Sequence, residues 1–196
     1  MSTIVVAKKN SMVAIGCDTL TKLGRVKEQA GYIRNHSKLI HIGDSHVATV
    51  GHASNKLVLQ NVFKTLKSTP PLDSVHSIFE TSCQIHRKLK EDFFLNPNED
   101  DEDEYESLRM DCLIANPAGI FGLYALRSVQ EYTKFYAFGS GWRIALGAMY
   151  AIYDIVDNPE EIVKTGLQAA AEFDDSTGLP IDISSIQLRQ DKVTVK

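Results

Sequence analysis

The chain has 196 residues, 43% of them hydrophobic and 23% charged, with a formal net charge of −4. That balance supports a packed core and excludes a disordered chain, and the negative charge offers no basic field to nucleic acid or an anionic membrane. The apolar runs are too short to span a bilayer, and Cys17, Cys83 and Cys112 lie far apart without a CxxC pair, so no disulfide or zinc framework is expected.

The chain opens MSTIVVAKKN, which lacks the charged and long apolar segments of a secretory signal. A cytoplasmic, reducing location is the corresponding expectation. Two β-branched runs, Thr3–Ala7 and Met12–Cys17, flank a polar join and predict a hairpin. Residues 18–37 are polar and contain glycine. Lys38–Ile42 and His46–Val50, joined by Gly43-Asp44-Ser45, predict a second hairpin. Both hairpins are apolar almost throughout, as in strands covered on both faces.

At Gly51-His52-Ala53-Ser54 the period changes. Leu57, Val58, Val62, Phe63 and Leu66 follow helical spacing up to Pro70-Pro71. Asp73 or Ser74 can cap a second helix carrying Val75, Ile78, Phe79, Ile85 and Leu89. Residues 99–106 hold seven acidic side chains and Tyr105. Such a block repels itself and predicts a solvated loop, placed at about 96–108. A third hairpin is expected over Met110–Ala115 and Ile120–Tyr124, then a strand over Lys134–Phe138. Gly139-Ser140-Gly141 opens a helix through Tyr153, with Trp142 and Tyr150 expected to pack. Asn158 caps a last helix with Pro159 at its first position, running to about Phe173. Ile183–Leu188 and Val193–Val195 predict a closing hairpin. Without repeat or linker, residues 1–196 are expected to form one α+β domain. Its paired helices would cover two packed sheets in a four-layer αββα sandwich.

Several residues carry potential chemistry, each with a plainer alternative. If Met1 is removed, Ser2 presents an amine and a hydroxyl on one residue. Such an amine, of pKa about 7.7–8, can act as base toward its own hydroxyl; a serine after an initiator methionine commonly does nothing. Asp18 ends a predicted strand and can fix a cation or a hydroxyl, or start a turn. Lys38 can lower the pKa of a neighbouring group, or simply guard a strand end. Gly51 permits close backbone approach of the kind an oxyanion hole needs, or only a turn. Ser140 can point inward or cap. Asp174 and Thr177 can form a polar network, or end the last helix at Gly178. The histidines show no HxxxH or HExxH spacing, and no GxSxG or phosphate-loop motif occurs. No metal and no cofactor is expected.

The order of these segments is itself informative. Ser2-Thr3-Ile4-Val5-Val6, Ile15-Gly16-Cys17-Asp18-Thr19, Lys38-Leu39, Val50-Gly51-His52-Ala53-Ser54, Phe138-Gly139-Ser140-Gly141 and Asp174–Gly178 together resemble the proteasome β-subunit family. The likeness extends over essentially the whole chain and is nearest to the simple bacterial members, HslV and the proteasome homologues of proteobacteria. It implies an N-terminal nucleophile hydrolase with the αββα fold, assembled as a homo-oligomeric, stacked ring. By the resemblance Ser2 is the nucleophile, supported by Asp18 and Lys38. Gly51 serves the oxyanion hole, and Ser140, Asp174 and Thr177 form the accessory cluster. Thr21, Thr49 and Ala53 line the pocket for the residue before the scissile bond. The implied substrate is a peptide or unfolded protein, and an ATPase partner is left open.

Four features depart from the family pattern. Ser2 replaces the usual threonine, Thr177 stands where the family has serine, the segment from Leu23 to Lys38 is about four residues longer than in HslV, and the acidic loop at 99–106 is unlike the simplest members. An inactive ring-forming scaffold and a small-molecule amidase on the same fold remain the alternatives.

Overall fold

The computed structural model describes residues 2–66, 68, 70–98 and 100–190. Strands β1 (Thr3–Lys9) and β2 (Met12–Asp18) form the expected first hairpin. Its turn residues, Asn10 and Ser11, both have positive φ, 50° and 61°. That geometry matches the right-handed twist of the flanking strands. Residues 18–37 hold more structure than their polarity predicts. Strands β3 (Thr21–Leu23) and β4 (Val26–Glu28) pair, and a 3₁₀ turn follows at Ala30–Tyr32. Three-residue strands with one face in solvent leave too short a pattern to detect.

The second hairpin is β5 (Leu39–Ile42) and β6 (Ser45–Gly51), followed by helices α1 (Asn55–Thr65) and α2 (Val75–Phe93). Ser74 caps α2 in a reciprocal box with Ser77. Next come β7 (Met110–Asn116), β8 (Gly119–Leu123), β9 (Val129–Tyr132) and β10 (Phe135–Gly139). The sequence did not predict β9. Among the described residues it is an edge strand paired with β8 alone, and its Gln130 and Glu131 face solvent. Helices α3 (Trp142–Ile152) and α4 (Pro159–Phe173) follow, the latter capped by Asn158 with Pro159 in its first turn. Strand β11 (Ile181–Gln187) closes the described chain by pairing with β2 over seven residues. The partner expected for it at 193–195 lies outside the described residues.

The strand order is β10-β1-β2-β11 in one sheet and β5-β6-β7-β8-β9 in the other. Three apolar clusters follow the alternation of side chains along these strands. Ile40, Val47, Ile114 and Phe121 face Leu59, Ile78 and Leu89 of α1 and α2. Ile4, Val6, Val13 and Ile15 face Ala48, Leu113 and Ile120 between the sheets. Val5, Ala7 and Ala14 face Met149, Val163 and Leu167 of α3 and α4. Strand β1 is thus covered on both faces and paired on both edges, so the segment beginning at Thr3 is held from every side. Trp142 packs against the α3–α4 cluster as expected, but Tyr150 points outward and is 79% exposed.

The acidic segment also differs from a uniformly solvated loop. Residues 100–105 are exposed. Glu106, however, bonds Lys90 Nζ at 2.6 Å and His86 Nε2 at 3.0 Å, contacts that hold its carboxyl below the usual range. Ser107 and Leu108 are buried.

Candidate active site

The start of β1, the end of β2, the end of β6, the start of α3 and the turn after α4 supply the predicted site residues. Asp18 is fully buried and accepts four hydrogen bonds. Its Oδ1 takes Thr3 N–H at 3.0 Å and Lys38 Nζ at 2.6 Å; its Oδ2 takes Leu20 N–H at 3.1 Å and Gly178 N–H at 3.2 Å. Burial pushes this carboxyl above its ordinary value, against the opposing pull of the Lys38 ammonium and the N–H donors. Lys38 donates further to Leu20 O at 2.8 Å, and its side chain is only 14% exposed.

A second network lies on the other side of β1. Asp174 Oδ2 accepts Ser140 Oγ–H at 2.6 Å and Thr177 Oγ1–H at 2.5 Å. Thr177 Oγ1 lies 2.6 Å from Thr3 Oγ1, which accepts Gly141 N–H at 3.0 Å. With Thr177 donating to Asp174, Thr3 is left to donate to Thr177, so the chain has one direction. Thr3 therefore ties both networks together, through its N–H to Asp18 and its hydroxyl to Thr177. Sequence reasoning missed it, because a β-branched residue inside a strand looks purely structural.

Two glycines meet real constraints here. Gly139 has φ +99°, and a Cβ on it would stand 1.7 Å from Ser2 O. Its absence lets Ser140 N–H reach Ser2 O at 2.9 Å. Gly51 has φ +121°, and a Cβ would stand 2.6 Å from Asn55 Nδ2 and 2.9 Å from Arg109 O.

Ser2, Lys38 and Gly51 line one cleft of about 350 Å³ together with Thr21, Thr49 and Ala53. Ser140, Asp174 and Thr177 are not among its lining residues; they reach it through Thr3 and the backbone of Ser2. His36 and Lys56 also border the cleft, though the sequence did not single them out. His36 Nδ1 contacts Ile33 O at 2.7 Å, and Lys56 donates to Ser37 O. The first contact lies within the long 29–38 segment, and the second ties that segment to α1. Such side chain–backbone ties leave no spacing signature.

Comparison with known proteins fits this geometry. The chain is 26% identical over 181 residues to a proteasome subunit beta of Nanoarchaeum equitans, covering 87% of this chain and 81% of that one. Thiobacillus denitrificans BPH superposes with a TM-score of 0.92 at 48% identity, over 96% of this chain and 100% of that one. The chain belongs to the proteasome β-subunit family. A structure of the same Thiobacillus protein in complex with epoxomicin matches this proteasome-family subunit with a TM-score of 0.91 at 46% identity, again over 96% and 100% of the two chains. HslV from Trypanosoma brucei shares the fold, with a TM-score of 0.66 at 17% identity over 94% of this chain and 99% of that one. No family model matches this subunit. No helix among its described residues is long and apolar enough to cross a membrane.

Proposed function

We propose that this proteasome-family subunit is a peptidase whose nucleophile is Ser2 after loss of Met1. The observation that carries the reading is that Ser2 opens onto the same cleft as Gly51 and as Lys38, whose ammonium is fixed by the buried Asp18. The free Ser2 amine takes the proton from its own hydroxyl, whose ionisation the nearby Lys38 charge favours. Ser2 Oγ then attacks the peptide carbonyl, and the Gly51 N–H stabilises the oxyanion. The amine returns the proton to the leaving amide nitrogen as the C–N bond breaks, which leaves an acyl ester on Ser2. Water hydrolyses the ester and regenerates the enzyme. Ser140, Asp174 and Thr177 hold Thr3, and with it the Ser2 backbone. Thr177 serves as well as serine, because the role needs only a hydroxyl. Serine lacks the γ-methyl that stiffens χ1, so the short tether of Ser2 to the clamped Thr3 carries more of the positioning.

In this reading Thr21, Thr49 and Ala53 line the pocket for the residue before the scissile bond. The whole chain is one four-layer αββα domain of the N-terminal nucleophile type, with the acidic loop on its surface. It acts in the cytoplasm as a homo-oligomeric, stacked ring that encloses peptide or unfolded substrates. The epoxomicin complex of the Thiobacillus protein supplies the probe. An epoxyketone needs both the free amine and the hydroxyl of the nucleophile. Wild-type protein should gain one adduct mass per active chain, on a peptide beginning at Ser2. Ser2→Ala should assemble, take no adduct and hydrolyse nothing; full hydrolysis by Ser2→Ala would overturn the assignment.

A further inference from the structure

Hairpin β5–β6 turns at Gly43-Asp44, with Gly43 at φ +55°, and pairs His41 with His46 one position inside the turn. In a two-residue hairpin this is a non-hydrogen-bonded pair, where facing side chains stand closest. The two imidazoles meet edge to face with centroids 4.2 Å apart. His41 is exposed and His46 half-buried. His46 Nδ1 is shielded from solvent and has no hydrogen-bond partner among the described residues, and a buried polar atom in that state calls for an ion or a water.

We propose that His41 and His46 form a two-nitrogen chelate for a late first-row divalent ion of the zinc, copper and nickel group. Metal–nitrogen bonds of about 2.0–2.1 Å place two coordinating ring centroids about 4.5–5 Å apart, a spacing this facing pair reaches once the rings turn out of their edge-to-face contact toward a common ion. Imidazole suits these ions over calcium or magnesium. No group of three or more His, Cys, Asp or Glu ligands occurs among the described residues, so water completes the coordination shell. The sequence hides this pair because its spacing of five belongs to no helical ligand motif; the turn creates it. A bound ion would staple β5, the edge strand of its sheet, to β6.

The site is independent of the catalytic reading, and its test uses tag-free full-length protein. Isothermal titration with Zn²⁺ should give one ion per chain at micromolar affinity. His41→Ala, at an exposed position, should weaken binding at least tenfold, as should His46→Gln. His76→Ala should leave it unchanged; His76 lies beside Glu80 on α2 and is a competing exposed site. The spin resonance spectrum of bound Cu²⁺ should show two imidazole nitrogens in wild type and fewer in the His41 variant. Absence of saturable micromolar binding, or affinity that survives His41→Ala or disappears with His76→Ala, would overturn the proposal.

Discussion

Replacing Thr3 with valine exchanges one buried hydroxyl for a methyl and leaves the β-branched shape in place. The Gly141 N–H then loses its acceptor in a site from which water is excluded. An unsatisfied buried donor costs about 1–3 kcal/mol. Thr177 still donates to Asp174 but loses the contact from Thr3. Together these losses amount to about 2–3 kcal/mol, which for a chain of this size lowers the unfolding midpoint by about 4–12 °C. Calorimetry should be run at equal protein concentrations, since assembly itself shifts midpoints. Peptide hydrolysis should fall in kcat more than it rises in KM, because the hydroxyl orients Ser2 without touching substrate. Thr3→Ser should restore both readings. Thr3→Val protein with wild-type stability and wild-type kcat would refute the view that this hydroxyl joins the two networks.

Gly51→Ala must hold an alanine at φ +121° against Asn55 and the Arg109 carbonyl. Backbone strain of this kind costs about 1–3 kcal/mol, and displacing an oxyanion donor typically lowers kcat by about 10²–10³; denaturant unfolding and steady-state hydrolysis check the two parts. Burial pushes the Cys17 and Cys112 thiols up to about 12 from 9.0, so their thiolate fraction falls about a thousandfold. Iodoacetamide at pH 8 should therefore spare both in the native protein and modify both after unfolding, as read by peptide mass mapping. For Asp18, a native pKa raised above 3.8 means that the folded chain binds this proton more tightly than the unfolded chain. Its contribution is complete below 3.8 and declines as pH rises through the native value. The stability advantage of wild type over Asp18→Asn, from urea unfolding, should shrink between pH 4 and pH 7; an advantage that grows would mean that Lys38 and the N–H donors outweigh burial.

Strong local patterns made much of this molecule legible in its sequence. The apolar runs of β1, β2, β5–β8 and β10 and the capped helices α2 and α4 stand where periodicity and caps put them. Short or half-polar pieces were not legible. Strands β3, β4 and β9 owe their pairing to neighbours that their own residues do not announce. The site divides in the same way. Asp18, Lys38 and Gly51 sit at predicted strand ends and so could be nominated. Thr3 could not, because its role depends on a hydroxyl contact 174 residues away. The backbone donors of Leu20 and Gly178 have no side-chain signature at all. Glu106 was assigned to the solvated loop because a charge run conceals a member that is held by side chains of a neighbouring helix.

The four hydrogen bonds on Asp18 come from chain segments that are 2, 15, 20 and 160 residues distant. A carboxylate with no exposure to water is satisfied only when all four have arrived. The last of them closes a loop spanning most of the chain, the kind of contact that forms late because its closure entropy is large. In a partly folded chain Lys38 is therefore unfixed and the Ser2 hydroxyl receives no directed help. On the proposed peptidase reading the carboxylate is an interlock on the time of activity: hydrolytic competence would arrive with the completed fold, so a nascent subunit would carry little risk of cutting its own kind.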